Sequence, residues 1–353
     1  MSKPYVVAGY VADAGLPDVT GEDLGKLTHL NVAFGHVRED EIRIDHLARL
    51  DELTRFKTVN PDLVLLLSVG GWGAGGFSEA ASTEEGRRRM AQSAVNILLA
   101  HPFDGIDLDW EYPCYSTAGI QSSPEDKRNF TLLLQTIREA IDEQGRKDGR
   151  RYLLTIAVGA DQYYLDGTEM DQVHRYLDFL QVMTYDMRGG FQVLTGHHTN
   201  LYNSTGDLFR ISTDTSINLY LAAGVPRDKI VVGAAFYSRQ WEKVPDAANG
   251  LHQIAGGSGG YGPNYTTLAN DYINKNGYVR YWDEEAKAPY LFNGSTFITY
   301  DDEESLQHKC RYVEEKNLAG IMFWEYGCDK TRRLLDSLHR GLNKPIDSAS
   351  KTF

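Results

Sequence analysis

Eight short, nearly continuous apolar runs bounded by turn residues recur along this 353-residue chain, with helical patterns between them. The runs are Tyr5 to Tyr10, Leu30 to Phe34, Leu63 to Ser68, Gly105 to Glu111, Tyr152 to Val158, Phe179 to Tyr185, Ile230 to Tyr237 and Ala319 to Trp324. Unbroken rather than alternating hydrophobicity is what parallel strands covered on both faces require. Strands that alternate with helices predict an α/β protein, a (β/α)8 TIM barrel. Among the helices, Phe130, Leu133, Leu134, Ile137 and Ile141 recur at helical spacing after Ser123-Pro124-Glu125-Asp126, where Ser123 reads as the N-cap and Pro124 as the first helical residue. Ser82 and Glu85 read as a capping box ahead of Met90, Ala94, Val95 and Leu98.

One interval breaks this rhythm. Tyr237 to Ala319 is far longer than one helix needs and is rich in Gly, Tyr, Asn and Asp, with strand-like pieces at Tyr278 to Trp282 and Phe297 to Tyr300. Residues 241–300 are therefore expected to form a small α+β insertion between strand 7 and strand 8, leaving 1–240 and 301–345 as the barrel. The run Gly256-Gly257-Ser258-Gly259-Gly260 lacks the Lys-Ser/Thr pair and the helix of a phosphate loop, and reads as a flexible loop.

Charge narrows the partners. The formal net charge is −13 with no Lys/Arg block, which excludes the basic stripe of a nucleic-acid binder and attraction to anionic membrane surfaces. A neutral ligand fits better, and no apolar stretch approaches the roughly 20 residues of a membrane helix. Met1-Ser2-Lys3-Pro4-Tyr5 runs into a strand without the organisation of a secretory signal. The expected location is cytoplasmic if the chain is full length, and secreted if a leader has been removed. Cys114, Cys310 and Cys328 are too few and scattered for a disulfide framework or a zinc cluster, so they are expected to be reduced. No cofactor or metal is called for, and a monomer is expected.

The chemistry concentrates in Asp104-Gly105-Ile106-Asp107-Leu108-Asp109-Trp110-Glu111. Alternate side chains of a strand share a face, so Asp107, Asp109 and Glu111 point one way and Ile106, Leu108 and Trp110 the other. In a barrel the acids face the axis, with Glu111 nearest the carboxyl end, where such folds place their chemistry. Crowded carboxylates in a partly dry space cannot all ionise, so at least one proton is retained near neutral pH, as a general acid needs.

These residues resemble a known family, the family 18 glycoside hydrolases, mainly chitinases. Its strand 4 motif DxxDxDxE is matched by Asp104, Asp107, Asp109 and Glu111, and its SxGG motif by Ser68-Val69-Gly70-Gly71 followed by Trp72. Further matches are Gln181-Val182-Met183-Thr184-Tyr185-Asp186, Phe236-Tyr237-Ser238-Arg239 and Gly320-Ile321-Met322-Phe323-Trp324-Glu325, in the family's order from Tyr10 to Trp324. The resemblance implies a retaining hydrolase of β-1,4-linked N-acetylglucosamine in chitin or chitooligosaccharides, in which the sugar's own 2-acetamido oxygen replaces an enzymic nucleophile. It implies that Glu111 protonates the glycosidic oxygen and later activates water. Asp109 would orient the acetamido group and stabilise the oxazolinium intermediate, Asp107 with Tyr10 and Ser68 would tune Asp109, and Tyr185 would hydrogen-bond the acetamido carbonyl.

Aromatic rings match the apolar faces of sugars. Trp324 is expected beneath the scissile sugar and Trp72 on the leaving-group side, while Met183, Asp186, Tyr237 and Arg239 are candidate wall residues; Met183 reads equally well as core filler. His29 reads as a core histidine and His197-His198 as loop polarity. Glu325 and Asp329 read as rim positions, and Asp301-Asp302-Glu303-Glu304 as a solvated helix start. Three other readings use the same fold: a chitinase-like lectin, an endo-β-N-acetylglucosaminidase and a spore or cell-wall glycosidase. The lectins typically lose the terminal Glu, many glycan-cleaving members carry an amide at the position of Asp186, and many spore enzymes replace an inner aspartate. None of those replacements is present.

Overall fold

The structure, a computed structural model, describes residues 4–343, so Met1-Ser2-Lys3 and the expected barrel boundary at residue 345 lie outside the described residues. Fourteen strands follow in chain order: β1 (Val6–Ala12), β2 (His29–Arg38), β3 (Glu41–Arg43), β4 (Val64–Gly70), β5 (Gly105–Asp109), β6 (Leu153–Val158), β7 (Phe179–Val182), β8 (Ile230–Ala235), β9 (Tyr237–Trp241), β10 (Gly260–Asn264), β11 (Val279–Asp283), β12 (Ala288–Phe292), β13 (Phe297–Thr299) and β14 (Gly320–Trp324). Parallel pairing runs β1-β2-β4-β5-β6-β7-β8-β14 and returns to β1, which closes the expected (β/α)8 barrel. β3 is an antiparallel addition on β2.

Strand alternation sorts the barrel residues into two cores. Val7, Leu30, Leu65, Leu67, Ile106, Leu108 and Ile156 pack under the helices, while Ala8, Tyr10, Leu66, Ala157, Met183 and Met322 fill the interior. Trp110 follows the outward set: its ring stacks on Phe77 at 5.4 Å and meets Phe130 edge-on at 5.4 Å. Buried Trp110 thereby holds the chain so that its neighbours Asp109 and Glu111 turn inward. No helix among the described residues is long and apolar enough to cross a membrane. Cys114, Cys310 and Cys328 all carry thiols.

Several local expectations are corrected. The helix Asp126–Asp148 starts beyond Pro124, because the Asp126 carboxylate accepts the Ser123 backbone N–H at 2.8 Å and holds the preceding turn, so Ser123 is not its N-cap. Thr83 rather than Ser82 caps the helix Glu84–Ala100, accepting from the Gly86 backbone N–H at 3.0 Å, while the Ser82 hydroxyl bonds back to the Glu79 carbonyl. β5 ends at Asp109, β7 ends at Val182 and β8 at Ala235, so Glu111, Tyr185 and Tyr237 lie past the barrel strands rather than within them.

Between β8 and β14 the chain forms a second, antiparallel sheet in the order β10-β9-β13-β12-β11, with a short helical segment at 265–272. The sheet begins at Tyr237, four residues before the expected boundary at residue 241, because Arg239 and Trp241 pair with β13. Trp241, Val244, Tyr290, Phe292 and Phe297 form its own small core. Gly260 opens β10, so the glycine run is a loop only as far as Gly259.

Replacing Trp110 by Ala removes the ring that fills the space between Phe77 and Phe130. Urea titration is expected to show a loss of about 3–5 kcal/mol; a change within about 0.5 kcal/mol would contradict this packing role.

Candidate active site

The interior acids occupy successive levels. Register puts Asp107 opposite Ser68 on one neighbouring strand and Thr155 on the other. The fully buried Asp107 carboxylate accepts from Tyr10 Oη (2.8 Å), Ser68 Oγ (2.8 Å), Thr155 Oγ1 (2.6 Å) and Gln181 Nε2 (3.0 Å). Gln181 is fixed in turn by Asn31 Nδ2 at 3.0 Å. Burial raises the Asp107 pKa and these four donors pull it back. Thr155, Gln181 and Asn31 carry no assignment from sequence, although an isolated polar residue at an inward position of an apolar strand is the signal that marks them.

Asp109 lies one level higher. The SxGG segment explains the closeness of its neighbours: a Cβ on Gly70, whose φ is +121°, would fall 2.0 Å from the Asp109 carbonyl oxygen, and that oxygen accepts the Gly71 N–H at 2.9 Å. Burial, then the charges of Glu111 and Asp107, raise the Asp109 pKa well above its ordinary value. Its buried Oδ1 has no hydrogen-bond partner.

Glu111 is at the mouth. Burial pushes its pKa up from 4.5 to about 7, a hydrogen bond from Tyr112 lowers it, and the charge of Asp186 raises it. The Tyr185 hydroxyl is surrounded by acids: burial and the charges of Asp109, Glu111, Asp186 and Asp107 all raise its pKa. Its nearest side-chain partner is Met322 Sδ at 3.8 Å.

A floor and a wall surround this stack. Trp324, at the end of β14, stacks on Phe34 (5.4 Å, 16°) and leans on Tyr10 (5.7 Å). Met183 is buried among the interior side chains. Asp186 accepts from Arg239 Nε at 2.6 Å, and the Arg239 guanidinium lies 3.7 Å from the Tyr261 ring centre. Burial alone would raise Asp186, but hydrogen bonds from His198 and Arg239 hold it well below the usual carboxylate range. Tyr237 packs edge-on to Tyr185 at 6.1 Å and to His198 at 5.3 Å. Trp72 is separate, 54% exposed at the rim, 6.2 Å from Tyr112 and 6.5 Å from Phe191.

The loop histidines are not simple surface polarity. His198 is fully buried with Nδ1 3.4 Å from the Asp186 backbone N and 3.6 Å from Asp186 Oδ1, and buried His197 pairs with Asp283 at 3.0 Å. Asp301 and Asp329 are likewise buried rather than solvated or at a rim.

Comparison with known proteins fits this geometry. The family described as Glycosyl hydrolases family 18 matches residues 6–329. The chain belongs to that family. It is thus a glycosidase, as the resemblance implies. It is 40% identical over 323 residues to Chitinase A1 of Niallia circulans, covering 85% of this chain but only 46% of that relative's length. It is 31% identical to mouse (Mus musculus) Chitotriosidase-1 over 91% of this chain and 73% of that protein. Among solved structures, a family 18 N-acetylglucosaminidase from Paenibacillus barengoltzii is 68% identical, with a TM-score of 0.95 over 96% of this chain and all of the other. The Ostrinia furnacalis Group IV chitinase in complex with allosamidin is 27% identical with a TM-score of 0.84, over 96% of this chain and 98% of that one.

The buried acid at the mouth makes stability depend on pH. A carboxyl whose folded pKa rises from 4.5 to about 7 imposes no penalty below pH 4.5, and its penalty grows until the pH passes about 7. Glu111→Gln is expected to match the wild type in urea resistance at pH 4 and to exceed it at pH 8 by on the order of 2 kcal/mol. Equal resistance at both pH values would contradict the buried, proton-retaining Glu111.

Proposed function

We propose that this glycosidase hydrolyses β-1,4-linked N-acetylglucosamine in chitin-type oligosaccharides, with retention of configuration, through attack by the substrate's own 2-acetamido oxygen. The observation that carries the reading is the acid ladder: Glu111 poised near 7 at the mouth, directly above an Asp109 whose buried Oδ1 lacks a partner. The chitinases among its relatives support the substrate class.

In this mechanism the protonated Glu111 gives its proton to the glycosidic oxygen as the bond to the anomeric carbon breaks. The acetamido carbonyl oxygen attacks that carbon from the opposite face and closes a cationic oxazolinium ring. Asp109 accepts the acetamido N–H through its open oxygen, and the negative charge shared with Asp107 stabilises the ring's positive charge. Tyr185 donates to the acetamido oxygen and positions it for attack. The Glu111 carboxylate then takes a proton from water, which attacks the anomeric carbon and restores the acetamido group. Trp324 supports the apolar face of the reacting sugar, Trp72 that of the leaving sugar, and Asp186, Arg239, Tyr237 and Met183 line the cleft.

The neighbour at 68% identity is described as an N-acetylglucosaminidase, which favours release of single sugars over internal cleavage. A chitohexaose digest tests this: N-acetylglucosamine is expected from the first minutes, and dimers and trimers as the only early products would oppose it.

Glu111→Gln is expected to lower kcat on chitooligosaccharides by about 10²–10⁴-fold while leaving their binding measurable by calorimetry; undiminished turnover would refute the acid assignment. Proton NMR of fresh product is expected to show the β-anomer first, and the α-anomer first would exclude participation by the acetamido group. In the wild type, kcat is expected to fall as pH rises through about 7, because the ionised Glu111 has no proton to give.

A further inference from the structure

Behind the cleft wall lies a buried ion pair that the mechanism does not use. Lys309, on the helix Glu303–Lys316, and Asp301, just after β13, are both about 1% exposed and meet at 2.6 Å. We propose that this pair is a positioning element for the wall that carries Tyr185, Asp186, His198 and Tyr237.

The argument rests on where the remaining hydrogen bonds go. Lys309 Nζ also donates to Thr199 Oγ1 at 2.6 Å and reaches the Gly233 carbonyl at 3.5 Å. Thr199 Oγ1 is 3.0 Å from the Thr184 carbonyl oxygen, one residue before Tyr185. Asp301 Oδ2 accepts the Ala235 backbone N–H at 3.1 Å, two residues before Tyr237. Asp301 Oδ1 accepts from Ser305 Oγ at 2.7 Å, which ties the pair to the helix start. The His198 backbone N–H, next to Thr199, donates to Thr299 Oγ1 at 3.2 Å. The pair thus holds 198–199 and 235–237 directly and 184–186 through the Thr199 hydroxyl, three separate segments, none of which continues a barrel strand through the residue it delivers.

Stability alone is a poor reason for such a pair. A buried ion pair exchanged for apolar residues of similar volume is often neutral or stabilising, so its effect here is sought in geometry. The inference rests on the proposed reaction, because the wall matters only if Tyr185 and Asp186 act on the substrate.

The test uses the double substitution Lys309→Met with Asp301→Asn, which removes both charges together, and Thr199→Val, which keeps the ion pair and removes the link to Thr184. Turnover of 4-methylumbelliferyl chitobioside is measured across pH, with melting followed in parallel. Both proteins are expected to melt cooperatively, with kcat lowered tenfold or more and KM changed less than threefold. Glu111 is faced by Asp109, Tyr112, Tyr163, Tyr164, Tyr185 and Asp186, of which only Tyr185 and Asp186 are carried by the anchored wall. Loosening that wall is therefore expected to move the alkaline limb of kcat to lower pH, which a loss of stability alone would not do. Wild-type kcat and an unmoved limb in either folded variant would overturn the inference, and if the double variant does not fold, Thr199→Val decides alone. A wild type inert on this substrate would instead refute the proposed function.

Discussion

The structure is organised around one buried carboxylate. Asp107 collects hydrogen bonds from Tyr10 on β1, Ser68 on β4, Thr155 on β6 and Gln181 on β7, so a single side chain ties together five strands including its own. An isolated buried charge is expensive, and only donors converging from around the barrel make it tolerable. Because those donors need a closed ring of strands, the site and the fold are specified together.

That anchoring ranks the three acids. Asp107 is saturated with donors, Asp109 retains an oxygen without one, and Glu111 sits where burial and neighbouring charge hold its proton near neutrality. β5 and the two residues that follow it deliver all three with different environments, so one short segment supplies an electrostatic anchor, a group open to a ligand N–H and a proton donor. The remaining wall comes from loops and from the second sheet. Arg239 on β9 reaches Asp186 in the loop after β7, and the Trp241 indole N–H donates to the Gln192 carbonyl at 2.8 Å in that same loop. The insertion therefore contributes to the cleft rather than merely decorating it.

The barrel and the inward acids were legible in the sequence because both rest on short-range regularities. Apolar runs marked the eight barrel strands, and alternation placed Asp107 and Asp109 inside and Trp110 outside. Strand ends were less legible, since Tyr237 begins a new sheet where the apolar pattern simply continues. Ser123 and Ser82 have ordinary capping propensity, but Asp126 and Thr83 take the roles because of the turns actually formed. β12 went unrecognised because Ala288–Phe292 is identified by its pairing with β11 and β13. His198, Asp301 and Lys309 were illegible for a stronger reason: Asp301 and Lys309 lie only 8 residues apart and His198 and Asp186 only 12, but the segments they join are distant in sequence, as the separations of 110 residues for Thr199 and Lys309 and 66 for Ala235 and Asp301 illustrate. A polar residue read without its partner looks like a solvated one.

The central claim is that the Asp109 and Glu111 pair retains a proton at neutral pH. Carbon-13 NMR titration of the side-chain carboxyls, with Glu111→Gln and Asp109→Asn used to identify the signals, measures this directly. The account predicts that the pair loses its protons in two steps, both above the ordinary carboxylate range, with at least one proton still held at pH 6. Two signals fully ionised by pH 5 would contradict it.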